Sequence, residues 1–157
     1  MPDQRLKRPR IYTYFMTILE AVSIRSTCPR RAVGAVLVDA KGRILATGYN
    51  GVPRGFEHCI DKPCAGSADV AGDTSKCMAI HAEVNAILQC SEIDNATSLY
   101  VSCTPCFQCA KIIANTNIKH IFVLQDYVDP AGKQVLQQAE IVLMQYDMAT
   151  ESYRFLK

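Results

Sequence analysis

Hydrophobic and polar positions alternate along this chain with two different periods, and each change of period marks a new element. The first helix is predicted over residues 10–25 by apolar side chains three or four positions apart, namely Tyr12, Phe15, Met16, Leu19 and Val22. Short apolar runs at 33–38 and 44–47, separated by a polar turn that contains Gly42, predict a β-hairpin. A helix and two strands are thus predicted before residue 50.

The second half of the chain alternates helical and strand-like patterns. Helices are predicted over residues 80–90, 106–115 and 131–139, and strands over 99–102, 118–124 and 141–144. Strands separated by helices of this length are typical of a mixed sheet with helices on both faces. The predicted fold class is therefore α/β, with five strands.

Residues 51–78, between these two parts, show no clear period. This stretch of 28 residues contains Pro53, Gly55, Pro63, Gly66 and Gly72. A structureless loop of such length is uncommon in a compact domain and usually carries a function or needs a stabilising ligand. We therefore expect the loop to have a role of its own.

Composition and charge narrow the class of protein. The 157 residues, 49% of them hydrophobic, fit one domain, which is predicted to span 1–157. A net charge of +2 is too small to indicate a protein that coats nucleic acid. The basic N-terminal residues are not followed by a secretory apolar core, and no window approaches the roughly 18 apolar residues of a membrane span. We expect a cytoplasmic protein without a membrane or nucleic-acid partner.

Eight cysteines are more than a chain of this size needs for folding, and in a reducing compartment they indicate metal binding or catalysis. Cys106 and Cys109 are three positions apart at the start of a predicted helix, so both sulfurs can hold one ion. His81, at the start of another helix, is the natural third ligand. Such a set leaves a fourth position open, which is the mark of a catalytic zinc.

Glu83 lies two residues after His81, and such neighbours do not share a face of a regular helix. We expect its carboxylate beside the metal-bound water, where it can move protons. Alternatively, Cys106 and Cys109 form a redox pair and His81 is an ordinary histidine, but a redox pair needs neither His-x-Glu nor Pro105. His-x-Glu followed by Pro-Cys-x-x-Cys is the signature of zinc-dependent nucleobase deaminases.

A closer resemblance rests on five segments. They are Ser26-Thr27-Cys28-Pro29-Arg30-Arg31, Val33-Gly34-Ala35-Val36, Thr47-Gly48-Tyr49-Asn50-Gly51 with Val52-Pro53-Arg54-Gly55, Ile80-His81-Ala82-Glu83-Val84-Asn85-Ala86-Ile87, and the Pro-Cys-x-x-Cys segment. In this order they resemble deoxycytidylate (dCMP) deaminases of the cytidine/deoxycytidylate deaminase superfamily, over about residues 10–145. The resemblance implies a three-layer α-β-α sandwich around a five-stranded mixed sheet, as in cytidine deaminase-like folds.

The resemblance also implies an activity, the zinc-dependent hydrolysis of dCMP to dUMP and ammonia, which supplies dUMP for thymidylate synthesis. Zinc-bound hydroxide would attack C4 of the ring, with Glu83 passing protons to N3 and to the departing amine. Asn50 is expected to bond the sugar, and the backbone amide of Ala82 to bind the ring carbonyl. Tyr127 is a candidate for stacking on the base, with an ordinary loop tyrosine as the alternative.

The phosphate site is less defined. Arg31 is the candidate, with Arg30 and Arg54 in the same resembling loops, and each could bind a phosphate in bidentate fashion or be simply solvated. Viral members that resemble this chain carry an aromatic residue and an arginine on the helix after His-Ala-Glu. This chain has Gln89 and Glu92 in that stretch.

Four further cysteines, Cys28, Cys59, Cys64 and Cys77, lie in or beside the segments that bracket the long loop. A Cys₄ zinc would be tetrahedral, closed and structural, and would fix a loop that has little hydrophobic content. The resemblance supports such a second zinc, because some dCMP deaminases carry one in this region. His58 could replace Cys64 or Cys77 as a ligand. The alternative is four unrelated free thiols.

Regulation and assembly are implied only by the resemblance. Family members commonly form hexamers, and many are activated by dCTP and inhibited by dTTP at a site between subunits that involves the Gly-Tyr-Asn-Gly region. Tyr49 and Gly51 are the corresponding candidates here. Two other functions stay open, a deaminase for a free nucleoside or tRNA, and a non-catalytic zinc-stabilised interaction module.

Overall fold

A six-stranded mixed β-sheet forms the centre of the structure, a computed structural model that describes residues 7–68, 75–127 and 129–157. Its strands are β1 (Gly34–Asp39), β2 (Ile44–Tyr49), β3 (Ala96–Cys103), β4 (His120–Gln125), β5 (Val142–Asp147) and β6 (Ser152–Phe155), in the spatial order β2-β1-β3-β4-β5-β6. The strands β3, β4 and β5 run parallel, and the other pairings are antiparallel. The predicted mixed sheet is therefore confirmed.

The prediction of five strands is wrong, because β6 adds a sixth at one edge. The signal for this strand is weak, since it has four residues and all of them are exposed. It folds back on β5 through a turn in which the Asp147 carboxylate accepts hydrogen bonds from the amides of Ala149 and Thr150, at 2.8 and 3.2 Å. Glu151 completes this turn with a φ of 51°. Local turn chemistry thus forms this strand, together with the Tyr153 ring, which lies edge-on to Tyr12 and Phe122 at centroid distances of 5.6 and 6.2 Å.

Helices cover both faces of the sheet, as the pattern predicts. The helices are α1 (Ile11–Ser23), the short α2 (Ala65–Ala68), α3 (Ala82–Gln89), α4 (Phe107–Ala114) and α5 (Pro130–Gln138). On one face α1 packs Phe15, Met16 and Leu19 against alternate strand residues such as Tyr100 and Phe122. On the other face α3, α4 and α5 cover the intervening strand residues. No helix among the described residues is long and apolar enough to cross a membrane.

The hairpin between β1 and β2 forms where the sequence predicts it. Its turn is closed by the Asp39 carboxylate, which accepts hydrogen bonds from the amides of Lys41 and Arg43 and pairs with the Arg43 guanidinium at 2.7 Å. These bonds from Arg43 and Lys41 lower the pKa of Asp39. Gly42 supplies the positive φ of 77° that the turn requires.

The chain after β2 makes a long excursion, residues 52–79, whose two ends are held together at its base. Gly51 and Ile80 exchange two backbone hydrogen bonds of 2.8 and 3.2 Å, so the chain leaves and returns at one point. The helix α2 lies within this excursion, and residues 69–74 lie outside the described part of the chain. The return point is one residue before His81. The bridge therefore holds the chain where α3 begins.

Gly48 allows β2 and α3 to touch through their backbones. A Cβ at this position would overlap the carbonyl oxygen of Ala82 and the backbone nitrogen of Ala86. Because both neighbours are backbone atoms of a packed helix, a side chain cannot be accommodated by a rotamer change. The distance between the sheet and the start of α3 therefore depends on a glycine here.

We predict that Gly48→Ala destabilises the protein by about 1–3 kcal/mol or more, the usual cost of overpacking a core. Urea unfolding followed by circular dichroism measures this change. Thr47→Ala, at an exposed position of the same strand, is the control and should change stability by less than about 0.5 kcal/mol. Equal stabilities of the two variants would contradict the proposed backbone contact.

Candidate metal centre and active site

Three side chains from two helix starts meet at one point. The ligand atoms of His81, Cys106 and Cys109 all lie within 4.8 Å of one another. Within the described ranges, no other group of three or more His, Cys, Asp or Glu side chains is this close. His81 Nδ1 lies 3.3 Å from Cys109 Sγ and 3.5 Å from Cys106 Sγ. The structure thus brings together the three residues predicted to hold the catalytic metal.

The spacing of these atoms fits zinc. In a tetrahedral site with Zn–S bonds of about 2.3 Å and a Zn–N bond of about 2.0 Å, nitrogen and sulfur ligands are about 3.5 Å apart. The two observed distances are close to that value. Two thiols and an imidazole are also a donor set that zinc prefers. An ion can therefore be held without rearrangement of the chain.

His81 and Cys106 occupy equivalent positions in their helices. Each is the residue just before the first helical residue, with an extended backbone, and neither makes a side-chain hydrogen bond to cap its helix. The predicted helices thus begin slightly later than expected, at Ala82 and Phe107. Their side chains are free to turn away from the helices and toward each other, which is how two separate motifs form one site.

The pKa values of the Cys106 and Cys109 thiols are shifted in opposite directions. The hydrogen bond from Cys109, followed by the interaction with His81, lowers the pKa of Cys106 to about 4. The same bond raises the pKa of Cys109, and burial acts in the same direction. One thiolate is therefore stabilised by its neighbours, and the second needs a cation beside it.

Glu83 lies beside this group and is almost completely buried, with 4% of its surface exposed. Burial raises the pKa of its carboxyl, and the carboxyl is within hydrogen-bond reach of the Cys109 thiol. A buried carboxyl with a raised pKa can hold and release a proton near neutral pH. The arrangement can therefore combine a metal ion with an acid–base group.

The start of α3 is held by its neighbours in the Gly-Tyr-Asn-Gly segment. Asn85 donates a hydrogen bond of 2.8 Å from its side chain to the Tyr49 carbonyl. Gly51 pairs with Ile80, and its missing side chain leaves room for Thr27 Oγ1, which a Cβ would approach to 2.6 Å. Both effector candidates, Tyr49 and Gly51, thus contact the residues that position His81.

Asn50 joins a second loop to this segment. It is 7% exposed, and its Oδ1 accepts hydrogen bonds from the Val33 amide at 2.9 Å and from Ser26 Oγ at 2.5 Å. Its Nδ2 donates to the Arg31 carbonyl at 2.8 Å. Because a side-chain amide carries two N–H groups, one is left without a partner among the described residues. Asn50 therefore holds the loop over residues 26–33 in place.

Arg31 and Tyr127, two of the predicted site residues, contact each other. The Arg31 guanidinium lies over the Tyr127 ring, 5.4 Å from its centroid, and donates a hydrogen bond of 3.3 Å to Gln125 Oε1. Both residues are exposed. Arg30 is used differently, since it donates a 2.6 Å hydrogen bond to the Gly66 carbonyl in the long excursion. Of the three arginine candidates, Arg31 and not Arg30 is paired with a predicted site residue.

Comparison with known proteins agrees with this geometry. The model of the cytidine and deoxycytidylate deaminase zinc-binding region matches residues 9–125. ComE operon protein 2 of Bacillus subtilis is 40% identical over 139 residues, which cover 86% of this chain and 70% of that protein. The chain belongs to the cytidine and deoxycytidylate deaminase family.

Two further proteins that match this chain are named as deaminases of deoxycytidylate (dCMP). The deoxycytidylate deaminase of Saccharomyces cerevisiae is 34% identical over 152 residues, which cover 93% of this chain but 48% of the yeast protein. The chain thus spans about half the length of that relative. The crystal structure of dCMP deaminase from the cyanophage S-TIM5 in complex with dCMP and dUMP is 33% identical with a TM-score of 0.72. That match covers 88% of this chain and 98% of the phage chain.

The four cysteines around the long excursion are only partly brought together. The thiols of Cys59 and Cys64 are in hydrogen-bond contact, and Cys28 is within electrostatic range of Cys59. Cys77 packs against Gly66, where a Cβ would lie 2.8 Å from its own Cβ. Within the described ranges, no three of these side chains have ligand atoms within 4.8 Å of one another. The second zinc of this family member therefore stays a prediction.

A hydrogen-bond network around Thr104 is not predicted from the sequence. This buried hydroxyl donates to Asp126 Oδ1 at 2.9 Å and accepts from the Tyr127 amide at 3.1 Å, while Lys133 pairs with Asp126 at 2.9 Å. The network fixes the loop that carries Tyr127. Its one signal in the sequence is the threonine immediately before the Pro-Cys-x-x-Cys segment of the deaminase motif.

We predict that Cys109→Ser reduces the zinc bound after dialysis by about one ion per chain, because the remaining two ligands hold zinc weakly. Elemental analysis of the purified protein measures this loss. Cys90→Ser is the matched control, since Cys90 is also a buried thiol but lies outside the ligand group. Unchanged zinc in Cys109→Ser would contradict the assignment.

Proposed function

We propose that the protein is a zinc-dependent dCMP deaminase that hydrolyses dCMP to dUMP and ammonia, and that residues 1–157 form one catalytic domain. The proposal rests on one observation above all, the buried Glu83 carboxyl beside the group of His81, Cys106 and Cys109. The similarity to a phage enzyme crystallised with dCMP and dUMP indicates the substrate.

His81, Cys106 and Cys109 would hold the ion and leave its fourth position open. An ion held there would supply Lewis acidity, which makes the attacking water easier to deprotonate. Glu83 accepts a proton from the attacking water and passes protons to ring N3 and then to the departing amine. Its burial supports this role, because a raised pKa lets the carboxyl carry the proton between the two steps.

The backbone amide of Ala82 would bind the carbonyl oxygen of the ring. Ala82 is the first residue of α3, and its N–H has no partner among the described residues. The first amides of a helix carry a partial positive charge and need acceptors. A ring carbonyl placed there would receive a hydrogen bond one residue from both His81 and Glu83.

Asn50 would bind the sugar through its remaining N–H, while its other polar contacts hold the loop over residues 26–33. Arg31 would bind the phosphate, and Tyr127 would stack on the base of the nucleotide. Their mutual contact supports a shared role, since the guanidinium is kept beside the ring and is held by Gln125. Arg54, which is exposed, remains a further candidate for the phosphate.

Assembly, regulation and location follow the family expectation. The protein would be a cytoplasmic homo-hexamer in which dCTP and dTTP bind near Tyr49 and Gly51. Both residues are linked to the start of α3, Tyr49 by a hydrogen bond from the Asn85 side chain and Gly51 by backbone hydrogen bonds with Ile80. An effector that moves this segment would therefore act on the position of His81.

We predict that the purified protein releases ammonia and dUMP from dCMP, and that Glu83→Gln lowers kcat by about 10²–10⁴-fold with unchanged zinc content. The amide cannot shuttle protons but preserves the shape of the side chain. Glu20→Gln, at an exposed carboxylate on α1, is the matched control and should retain full activity. Undiminished turnover by Glu83→Gln would remove Glu83 from the mechanism.

A substrate panel separates the proposed function from its alternatives. The same ammonia assay with dCMP, CMP, deoxycytidine and dCTP, each with and without dTTP, measures preference and regulation together. Turnover of deoxycytidine but not dCMP would identify a nucleoside enzyme. Absence of any turnover in a zinc-loaded protein would favour a non-catalytic module.

We also propose a structural zinc held by Cys28, Cys59, Cys64 and Cys77, with His58 as a possible replacement for Cys64 or Cys77. We predict about two zinc ions per chain in total, and loss of about one in Cys59→Ser, because one thiolate of a closed site is removed. Elemental analysis measures both values. A total of about one ion in the unaltered protein would instead support four free thiols.

A further inference from the structure

The helix α4 cannot be capped by its own N-terminal neighbour. The first amides of a helix lack partners within the helix, and the side chain of the preceding residue usually accepts from one of them. In α4 that residue is Cys106, which makes no such bond. Its sulfur faces His81 and Cys109 instead. A different residue must therefore satisfy the first amide of α4.

Asp129 supplies this cap from a distant part of the chain. Its Oδ2 accepts a hydrogen bond of 2.8 Å from the amide of Phe107, the first residue of α4. Its Oδ1 accepts a hydrogen bond of 3.0 Å from the amide of Gly132, in the first turn of α5. One carboxylate thus caps two helices, one with each oxygen.

Gly132 brings the two helix starts into direct contact. A Cβ at this position would lie 2.8 Å from the Pro105 carbonyl oxygen and 3.2 Å from the carbonyl carbon of Cys106. Pro105 and Gly132 are buried. The first turn of α5 therefore packs on the peptide groups on either side of Cys106. Asp129 accepts its hydrogen bond from the second of these peptide groups, at the Phe107 amide.

We propose that Asp129 is a positioning residue for the metal centre, which fixes the peptide between Cys106 and Phe107 and thereby sets the position of Cys106 Sγ relative to His81 and Cys109. The inference rests on the proposed zinc site, and it adds a residue outside the group of His81, Cys106 and Cys109. To cap α5, Asp129 needs only its hydrogen bond from Gly132. The proposal gives a function to its second hydrogen bond, from Phe107.

Asp129→Asn separates the two roles. Asparagine is as good a helix N-cap as aspartate, so α5 and the fold should be preserved. The amides of Phe107 and Gly132 bond different oxygens of Asp129, and asparagine replaces one of these oxygens by an NH₂ group, so one of the two amides loses its acceptor. Asp129→Ala removes both. Asp147→Ala is the matched control, because Asp147 also accepts from two backbone amides in a turn, between β5 and β6.

The experiment measures zinc retention against a chelator, and the visible spectrum of the protein loaded with Co²⁺, whose thiolate charge-transfer band reports ligand geometry. We expect Asp129→Asn to retain zinc about tenfold less tightly and Asp129→Ala up to about 100-fold less tightly, as for other residues that orient metal ligands. The cobalt band should shift in both. For dCMP turnover, kcat should fall while KM stays nearly constant.

The control should leave zinc retention and the cobalt spectrum unchanged, even where it lowers the unfolding midpoint. Wild-type retention and spectrum in Asp129→Asn, or equal effects in Asp129→Ala and Asp147→Ala, would overturn the positioning role. Failure of the proposed function is distinguishable, because it appears as absent dCMP turnover in the zinc-loaded wild type. The metal measurements decide the role of Asp129 in either case.

Discussion

The close approach of backbone to backbone at two glycines is the constraint on which the site depends. Gly48 lets the sheet touch the first turn of α3, and Gly132 lets α5 touch the residues that lead into α4. Three ligand atoms can share one ion only when both helix starts are placed to within a fraction of a bond length. Peptide groups in van der Waals contact provide that precision, because they lack the rotamer freedom of side chains.

The two helix starts are used differently, although both give up their usual capping residue to the metal group. In α4 the first amide is closed by Asp129, so the turn that bears Cys106 is tied to another element. In α3 the amide of Ala82 has no partner among the described residues and is left for the proposed substrate. Neither first amide is capped by the residue before its helix. In α4 this amide bonds Asp129 and fixes the position of Cys106, whereas in α3 it is available to bind the substrate.

The sequence predicts what depends on local spacing. Period and turn residues indicate α1, α3, α4, α5 and five of the strands, whereas α2 lies in the stretch without a clear period. The spacing within His-x-Glu and Cys-x-x-Cys indicates which side chains share a site. It does not predict Asp129 or the Thr104 network, because these contacts arise from the parallel register of β3 and β4, which brings Cys103 beside Gln125. The strand β6 escapes prediction since it is short and exposed throughout. The bonding of Asn50 likewise depends on a loop that approaches from elsewhere.

The bridge between Gly51 and Ile80 has a consequence for how this architecture can vary in evolution. Because the two ends of the excursion are paired at its base, the bridge sets where the chain returns to begin α3, whatever the number of residues between the ends. Closing a loop of twice the length costs only about 0.6 kcal/mol more. Insertions and deletions can therefore accumulate in the excursion, and new binding surfaces can arise there. The neighbouring metal ligands and Glu83 keep their positions while this happens.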